Sequence, residues 1–456
     1  MRRRSSSLQL AGGSVIVIYA YLVANLTSVV ESFEPLIQLP RSGSFRNRPR
    51  YERVVNVRNY GAKGDGLSDD TQAFEDAWKI ACSLPLRTSI VIPSGYTYLV
   101  RPIDFAGPCR SRVTLRICGI VIAPSNPDVW DGLDTQKWLY FHGVNRLTVE
   151  GGGTIDGRGQ EWWSQSCKIN KTNVLLSLLH ESPCRHAPTA ITFHRCKNLK
   201  FKNLMVKNSQ QMHIGFTNCV RVIASFLKVF APPFSPNTDG IHISASTRVE
   251  VKDSIIRTGD DCISIVSNSS GIKIRNIVCG PGHGISIGSL GKSNSWAQVH
   301  DVRVDGAFLS NTQNGVRVKT WQGGRGFASN IIFQNVRMEN VSNPIIINQY
   351  YCDSVLPCAN QTSAVKVENI SFKHIKGTSA TEEAMRFACS NSFPCERIFL
   401  EDIMLVSPSG EIPKSFCWEA HGSTKGVIYP SPCFSCSGSF SEQKARPSFV
   451  LHSVQR

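Results

Sequence analysis

The chain has 456 residues, of which 41% are hydrophobic, 18% are charged and 35 are glycine. This composition excludes a disordered chain, a coiled coil and a collagen-like fibre. Lysine and arginine number 50 against 34 aspartates and glutamates, so the formal net charge is +16. Such an excess favours an acidic partner, although basic residues that only solvate the surface would give the same total.

The cysteines and the N-terminus both indicate the secretory route. The 16 cysteines predict a disulfide framework formed in an oxidising compartment. Arg2–Arg4 precede an apolar stretch from Leu8 to Ala24, as in a secretory signal. Because that stretch is near the length that spans a bilayer, residues 1–30 are predicted to be either a cleaved signal peptide or a retained signal anchor. We therefore expect a secreted protein or, with an uncleaved segment, a membrane-anchored one.

Glycosylation sequons agree with that route and predict a glycoprotein. Their asparagines are Asn170, Asn268, Asn340, Asn360 and Asn369. Residues 31–50 lack a pattern and end in a basic run, so they are predicted to be a linker.

A helix is predicted between residues 70 and 83, after a strand-like segment at 51–60. Asp69 or Asp70 would cap its N-terminus. Its apolar positions recur at helical spacing: Ala73, Phe74, Ala77, Trp78 and Ala81.

Beyond about residue 140, short alternating β segments repeat at intervals of about 23 to 30 residues between Arg248 and Ile331. One coil of a right-handed parallel β-helix uses about that many residues, and stacked coils would share one continuous core. We therefore predict an all-β, single-domain right-handed parallel β-helix over 51–440, with the helix at 70–83 as its N-terminal cap and a tail at 441–456. A β-sandwich with irregular strands is the alternative architecture.

Four polar clusters interrupt the apolar pattern at about the spacing of one coil. They are Asn237–Gly240, Gly259–Cys262, Gly282–Gly284 and Arg317–Lys319. If each falls on a successive coil, one cleft would hold three carboxylates, an imidazole and two cations. Cleavage of a glycosidic bond needs a carboxylic acid and a carboxylate, and crowding raises the proton affinity of at least one of them. Two cations that are two residues apart in a strand share a face and suit an anionic sugar.

Each cluster alone has an ordinary explanation: a turn, a solvated or calcium-binding pair of aspartates, a turn histidine and an exposed strand. Taken together, they resemble the signature set of the polygalacturonases, the pectin-hydrolysing glycoside hydrolases, and most closely the plant branch. The resemblance spans roughly residues 51–440. It includes the segments Asn59–Gly66, Gly151–Gly157 and Gly284–Gly291.

The resemblance implies a role for each matching residue. Asp260 would be the general acid, whereas Asp239 and Asp261 would activate water for inverting hydrolysis of α-1,4-galacturonosyl linkages. His283 would tune the protonation of the acid. The implied substrate contacts are Arg317, Lys319, Tyr351 and Asn237. The family also implies a disulfide between Cys262 and Cys279.

Short spacings predict two further disulfides, Cys352–Cys358 and Cys389–Cys395. Cys433-x-x-Cys436 is compatible with zinc, but an oxidising compartment and missing partner ligands favour a disulfide. We expect no metal and no cofactor. The chain is predicted to be a monomer that acts on pectin or polygalacturonic acid in cell-wall remodelling. No nucleic-acid motif is visible, so no nucleic-acid partner is expected.

Two other functions remain open. A β-helix pectin lyase would need a base and typically calcium, which would leave His283, Arg317 and Lys319 without their fitted roles. A wall-binding solenoid without catalysis would have no need of three mutually repelling carboxylates.

Overall fold

The computed structural model describes residues 52–168, 185–354 and 357–434. The predicted signal or anchor segment, the basic linker, Asn170, Cys436 and the C-terminal tail lie outside the described residues. Within the described part of the chain, no helix is both long enough and apolar enough to cross a membrane.

The described strands form two parallel sheets that run side by side along one solenoid. The larger sheet has 17 strands. They are β1 (Arg53–Asn56), β2 (Asp65–Asp69), β3 (Thr88–Ile92), β4 (Thr97–Leu99), β6 (Val113–Ile117), β7 (Ile120–Ile122), β9 (Thr148–Glu150), β10 (Thr154–Asp156), β12 (Lys197–Lys207), β14 (Val220–Phe230), β16 (Thr247–Arg257), β18 (Ser269–Cys279), β20 (Trp296–Ser310), β22 (Arg325–Val341), β24 (Lys366–Ser379), β26 (Cys395–Val406) and β28 (Ala420–Tyr429).

The smaller sheet has 11 strands. They are β5 (Ile103–Ala106), β8 (Lys137–His142), β11 (Thr189–His194), β13 (Ile214–Thr217), β15 (Ile241–Ser244), β17 (Ile263–Ile265), β19 (Ile285–Leu290), β21 (Asn314–Trp321), β23 (Asn343–Tyr351), β25 (Glu383–Ala388) and β27 (Lys414–Trp418). From β11 onward, the chain alternates between the two sheets, so that each strand of one sheet is followed by a strand of the other. The predicted parallel β-helix is confirmed.

Registered apolar ladders hold the coils together. Ile241, Ile263, Ile285 and Val316 pair successively across the smaller sheet, and all four are fully buried. Each coil thus adds one apolar residue to a row that runs through the whole core, because no single coil can bury its own inner face. Outward positions alternate with these residues, and they are free to carry polar groups.

The strands of the larger sheet are longer than the short segments that the sequence predicts. β22, for example, covers 17 residues. Left-handed residues bend these strands in the middle, among them Asn203 (φ 53°), Asp253 (φ 50°) and Asn276 (φ 51°). Asparagine and aspartate tolerate this conformation, so that one continuous strand forms two sides of the coil. The predicted segments are the halves of these strands that precede the bend.

The first helix, α1, covers Thr71–Ser83 and buries the five apolar residues expected from the spacing. It packs against β1, β3 and β5. Asp70 occupies the N-cap, but its carboxylate accepts hydrogen bonds from the backbone of Lys63 and Gly64, whereas Asp69 accepts one from the Thr71 N–H. A short second helix, α2, covers Gln160–Ser164.

Five disulfides lie entirely within the described residues. They are Cys82–Cys109, Cys262–Cys279, Cys352–Cys358, Cys389–Cys395 and Cys417–Cys433. The structure thus contains the three disulfides expected from the sequence. The disulfide to Cys417 removes Cys433 from consideration as a zinc ligand.

Candidate active site

Three polar side chains occupy the same place in three successive coils. Each lies two residues before a registered isoleucine of β15, β17 or β19. They are Asp239, Asp261 and His283. Because the coils stack in register, these residues share one side of the solenoid, and Asp260 lies beside Asp261 on the same loop.

Asp260 contacts the imidazole of His283. The Nδ1 atom of His283 lies 3.0 Å from Oδ1 of Asp260, which also accepts a hydrogen bond of 2.8 Å from the backbone N–H of Asp261. Burial by itself would raise the pKa of Asp260, but the hydrogen bond and charge of His283, with the charges of Lys319 and Lys168, outweigh it and lower this pKa to about 2. In the free protein, Asp260 is therefore an anion held by a histidine.

Asp261 is the most enclosed of the three aspartates and forms ion pairs with both cations. Its side chain is 2% exposed, and its Oδ1 and Oδ2 atoms lie 2.8 Å from Arg317 Nη2 and Lys319 Nζ, respectively. Oδ1 also accepts a hydrogen bond of 2.8 Å from Ser286 Oγ. Both oxygens thus have partners. Because side chains alternate between the two faces of β21, Arg317 and Lys319 lie on the same face and contact one carboxylate.

Asp239 lies in a less charged environment. Its Oδ2 atom accepts a hydrogen bond of 2.7 Å from Ser264 Oγ and lies 3.9 Å from His242 Nδ1. Burial and the nearby negative charge of Asp260 raise the pKa of Asp239 above its ordinary value. Asp239 and Asp260 therefore have pKa values shifted in opposite directions, as expected for a pair that shares one proton.

A buried histidine supports the backbone of Asp239. The Nδ1 atom of His213 lies 3.0 Å from the carbonyl oxygen of Asp239, whereas its Nε2 lies 3.4 Å from the backbone N–H of Ser209. Nε2 also lies 3.2 Å from the carbonyl oxygen of Phe230. The backbone N–H of His213 donates a hydrogen bond of 2.8 Å to the carbonyl oxygen of Asp239, so His213 holds this carbonyl in place in either tautomer. Burial lowers the pKa of His213 to about 4, which keeps the ring neutral at mildly acidic pH.

The two remaining predicted residues border the carboxylates. Tyr351 ends β23, and Lys319 Nζ lies 5.2 Å from the centre of its ring. Trp321 packs edge-on against that ring at 5.3 Å, and burial raises the pKa of the Tyr351 hydroxyl. Asn237 lies in the loop before Asp239 with φ 54°, a conformation that asparagine tolerates.

Four residues that contact the aspartates have no recognisable role in the sequence alone. They are His213, His242, Ser264 and Ser286. A register argument would have found two of them, because Ser264 and Ser286 pair successively in the row that leads to Arg317. His213 had no comparable signal, because it contacts a backbone atom.

The cluster has a donor set that a metal could use, and the fit is poor. Donor atoms of Asp260, Asp261 and His283 all lie within 4.8 Å of one another. However, both oxygens of Asp261 already accept from Arg317 and Lys319, and these two positive charges oppose a divalent cation at the same place. The arrangement suits acid–base chemistry on an anionic sugar better than metal chemistry.

Comparison with known proteins agrees with this chemistry. A model of the glycosyl hydrolases family 28 matches residues 82–424. A protein of Arabidopsis thaliana named as a probable polygalacturonase is 58% identical over 440 residues, which cover 95% of this chain and 97% of the relative. Polygalacturonase-2 of Solanum lycopersicum is 52% identical over 378 residues, which cover 83% of this chain and 80% of the relative.

Solved structures show the same fold. An exopolygalacturonase from Thermotoga maritima matches with a TM-score of 0.68 at 21% identity, over 84% of this chain and 92% of its own. An endo-xylogalacturonan hydrolase from Aspergillus tubingensis matches with a TM-score of 0.67 at 24% identity, over 82% of this chain and all of its own. These similarities confirm the right-handed β-helix. The family match and the close relatives show that the chain is a glycosidase and belongs to glycosyl hydrolases family 28.

Proposed function

We propose that this glycosidase hydrolyses α-1,4-galacturonosyl linkages of pectin, in its unesterified polygalacturonan form, by inverting acid–base catalysis. The observation that carries the proposal is the pair Asp239 and Asp260, whose pKa values are shifted in opposite directions beside two buried cations. One carboxyl can then hold a proton while the other is an anion, as glycosidic hydrolysis requires. The relatives named as polygalacturonases support the choice of substrate.

Asp260 is the proposed general acid and Asp239 the proposed general base. In the free chain the pKa of Asp260 is lowered and that of Asp239 is raised, so this assignment requires the pKa of Asp260 to shift upward when the sugar binds. An anionic galacturonate would supply that shift, because it would neutralise Lys319, one of the charges that lower the pKa of Asp260. Asp239 would then be free to accept a proton from the attacking water.

Asp261 has a narrower proposed role than the resemblance implies. At 2% exposure, its Oδ1 accepts hydrogen bonds from Arg317 and Ser286 and its Oδ2 accepts one from Lys319, so the protein engages most of its acceptor capacity. Its charge instead holds Arg317 and Lys319 side by side. These cations would bind the carboxylate of a galacturonate unit, and the ring of Tyr351 would contact the sugar. Asn237 would support the loop that carries Asp239.

The proposed location is extracellular. The five disulfides that the structure describes support folding in an oxidising compartment. Expression of the full chain in plant cells, followed by N-terminal sequencing of the product from the medium and from membranes, would distinguish signal cleavage from anchoring.

The role assignment is tested with Asp260→Asn and the matched control Asp239→Asn. Both are assayed in EDTA on polygalacturonate and on an aryl α-galacturonide whose leaving group needs no protonation. Loss of the acid should abolish activity on the polymer but spare much of it on the aryl substrate, whereas loss of the base should abolish both. If Asp239→Asn is the variant that keeps activity on the aryl substrate, the two roles are reversed.

A further inference from the structure

A groove on the outer face of the larger sheet has no part in the proposed catalysis. It lies across β12, β14, β16 and β18, ahead of the bends in these strands, and has a volume of about 620 Å³. Its polar lining is mainly basic and includes the exposed side chains of Lys200, Arg221, Arg248 and Lys273. The candidate catalytic residues belong to the coils of the smaller sheet, so the groove is a separate surface.

The positive charge of the groove is not neutralised by the protein. Glu250 is the one acidic residue in its lining, and it is paired with Arg275. Among the described residues, no carboxylate lies within 4.0 Å of the charged nitrogen atoms of Lys200, Arg248 or Lys273. The four strands carry eleven basic residues and two acidic ones, and three of the basic residues, Lys202, Lys207 and Arg275, are in ion pairs.

Later coils of the same sheet arrange their cations differently. Lys366 and Arg397 both pair with Glu368, and Lys373 and Lys425 both pair with Glu401. These four basic residues of the later coils are therefore neutralised, whereas the cations of the groove have no carboxylate partner among the described residues. Surface solvation alone gives no reason for this difference along one sheet.

The spacing of the groove charges suits a polymer. Arg221 and Arg248 occupy the same position on neighbouring strands, as do Lys200 and Ile223. Two residues further along each strand, a second row contains Lys200, Ile223, Glu250 and Lys273. Neighbouring strands lie about 4.8 Å apart, so the four cations lie in two adjacent rows along the solenoid axis. Ile223, which lies next to Lys200 in the register, is 38% exposed and offers an apolar contact to the C–H face of a sugar ring.

We propose that this groove binds an unesterified stretch of polyuronate as a second, non-catalytic site that retains the enzyme on its polymer. The proposal rests on the proposed substrate class, but it requires no chemistry in the groove. A repeating carboxylate is the occupant that two adjacent rows with unpaired cations would select, and methyl esterification would remove the charge that the groove recognises.

The test compares two sets of four substitutions that remove equal charge from the same sheet. The groove variant is Lys200→Gln, Arg221→Asn, Arg248→Asn and Lys273→Gln. The control variant is Lys366→Gln, Lys373→Gln, Arg397→Asn and Lys425→Gln. Asparagine replaces the three arginines because they have φ between 55° and 59°, and asparagine already occupies the equivalent positions 198, 330 and 369. Both sets should therefore fold, as checked by thermal unfolding.

Binding is measured with the full chain carrying Asp260→Asn, on immobilised polygalacturonate, with trigalacturonate present to fill the cleft. We expect the groove variant to bind about tenfold more weakly or worse, because single exposed charge contacts are weak and only their sum is measurable. The control variant should bind like the parent protein, and methyl-esterified pectin should bind weakly to all three. Added salt should reduce the difference in affinity between the groove variant and the parent protein.

Equal binding by groove and control variants would overturn the proposal, as would retention on phosphatidylserine vesicles in place of polyuronate. Failure of the groove is distinguishable from failure of the proposed function. Without Asp260→Asn, the groove variant should keep the turnover of the parent on trigalacturonate. If the parent itself releases no product from any galacturonan, the proposed function fails whatever the groove binds.

Discussion

Replacement of Asp261 by asparagine should destabilise the fold. Asp261 is 2% exposed, and its two cationic partners, Arg317 and Lys319, are 12% and 8% exposed. Asparagine keeps the volume but leaves two buried cations without a counter-charge. Removal of one member of a buried ion pair costs about 3–5 kcal/mol, and the remaining carbonyl oxygen can still accept one hydrogen bond. We therefore expect a loss of about 3 kcal/mol, a large fraction of the stability of an ordinary domain.

Urea unfolding followed by circular dichroism measures this loss. The matched control is the neighbouring substitution Asp260→Asn, which should cost less, about 2 kcal/mol, because among the described residues Asp260 has one side-chain partner, His283, and a hydrogen bond to a charged group contributes about 1.5–3 kcal/mol. Adding Lys319→Met to Asp261→Asn should recover part of the loss, since it removes one of the unpaired cations. If Asp261→Asn costs no more than Asp260→Asn, the carboxylate does not neutralise the two cations as described.

Three further predictions concern the neighbours of the carboxylates. Ser264→Ala should lower kcat/KM on oligogalacturonates by about tenfold to a hundredfold, because it removes the hydrogen bond that holds the carboxyl group of Asp239; unchanged kinetics would count against Asp239 as the base. His283→Asn should move the pH profile of kcat/KM to higher pH, since burial of Asp260 persists while the interactions with His283 that lower its pKa are lost; an unshifted profile would contradict that cause. His213 has a pKa lowered from 6.5 to about 4, so as pH falls through this window the unfolded chain binds a proton that the folded chain does not, and about 3 kcal/mol of stability is lost. When the free energy of unfolding is measured from pH 7 to pH 4, His213→Gln should lose less of it than the parent protein. An identical dependence on pH in both proteins would refute this role of His213.

The sequence predicted the stacking of the site but not its contacts. Asp239, Asp261 and His283 recur at the period of one coil, and the structure places them at equivalent positions. A period indicates which residues share a face. It does not tell which side chains meet, so the pairing of both cations with Asp261 was not foreseen.

The bent strands and the basic groove could not be predicted from the repeat length of the coils. The long bent strands arise because residues such as Asn203 and Asn276 take left-handed conformations inside a strand, and an isolated asparagine signals a turn equally well. The basic groove gathers residues from four coils. In the sequence, Lys200 and Lys273 belong only to a dispersed excess of charge, because their proximity depends on the register between strands.

The proposed mechanism is direct hydrolysis by one carboxylic acid and one carboxylate. Proton NMR of the first product formed from an α-linked oligogalacturonate, in the presence of EDTA, tests it most directly. Water that Asp239 activates on the face opposite the leaving group should give the β-anomer first, with the α-anomer appearing only by later mutarotation. An α-anomer as the first product would contradict inversion, and an olefinic proton from an unsaturated uronate would show elimination instead of hydrolysis.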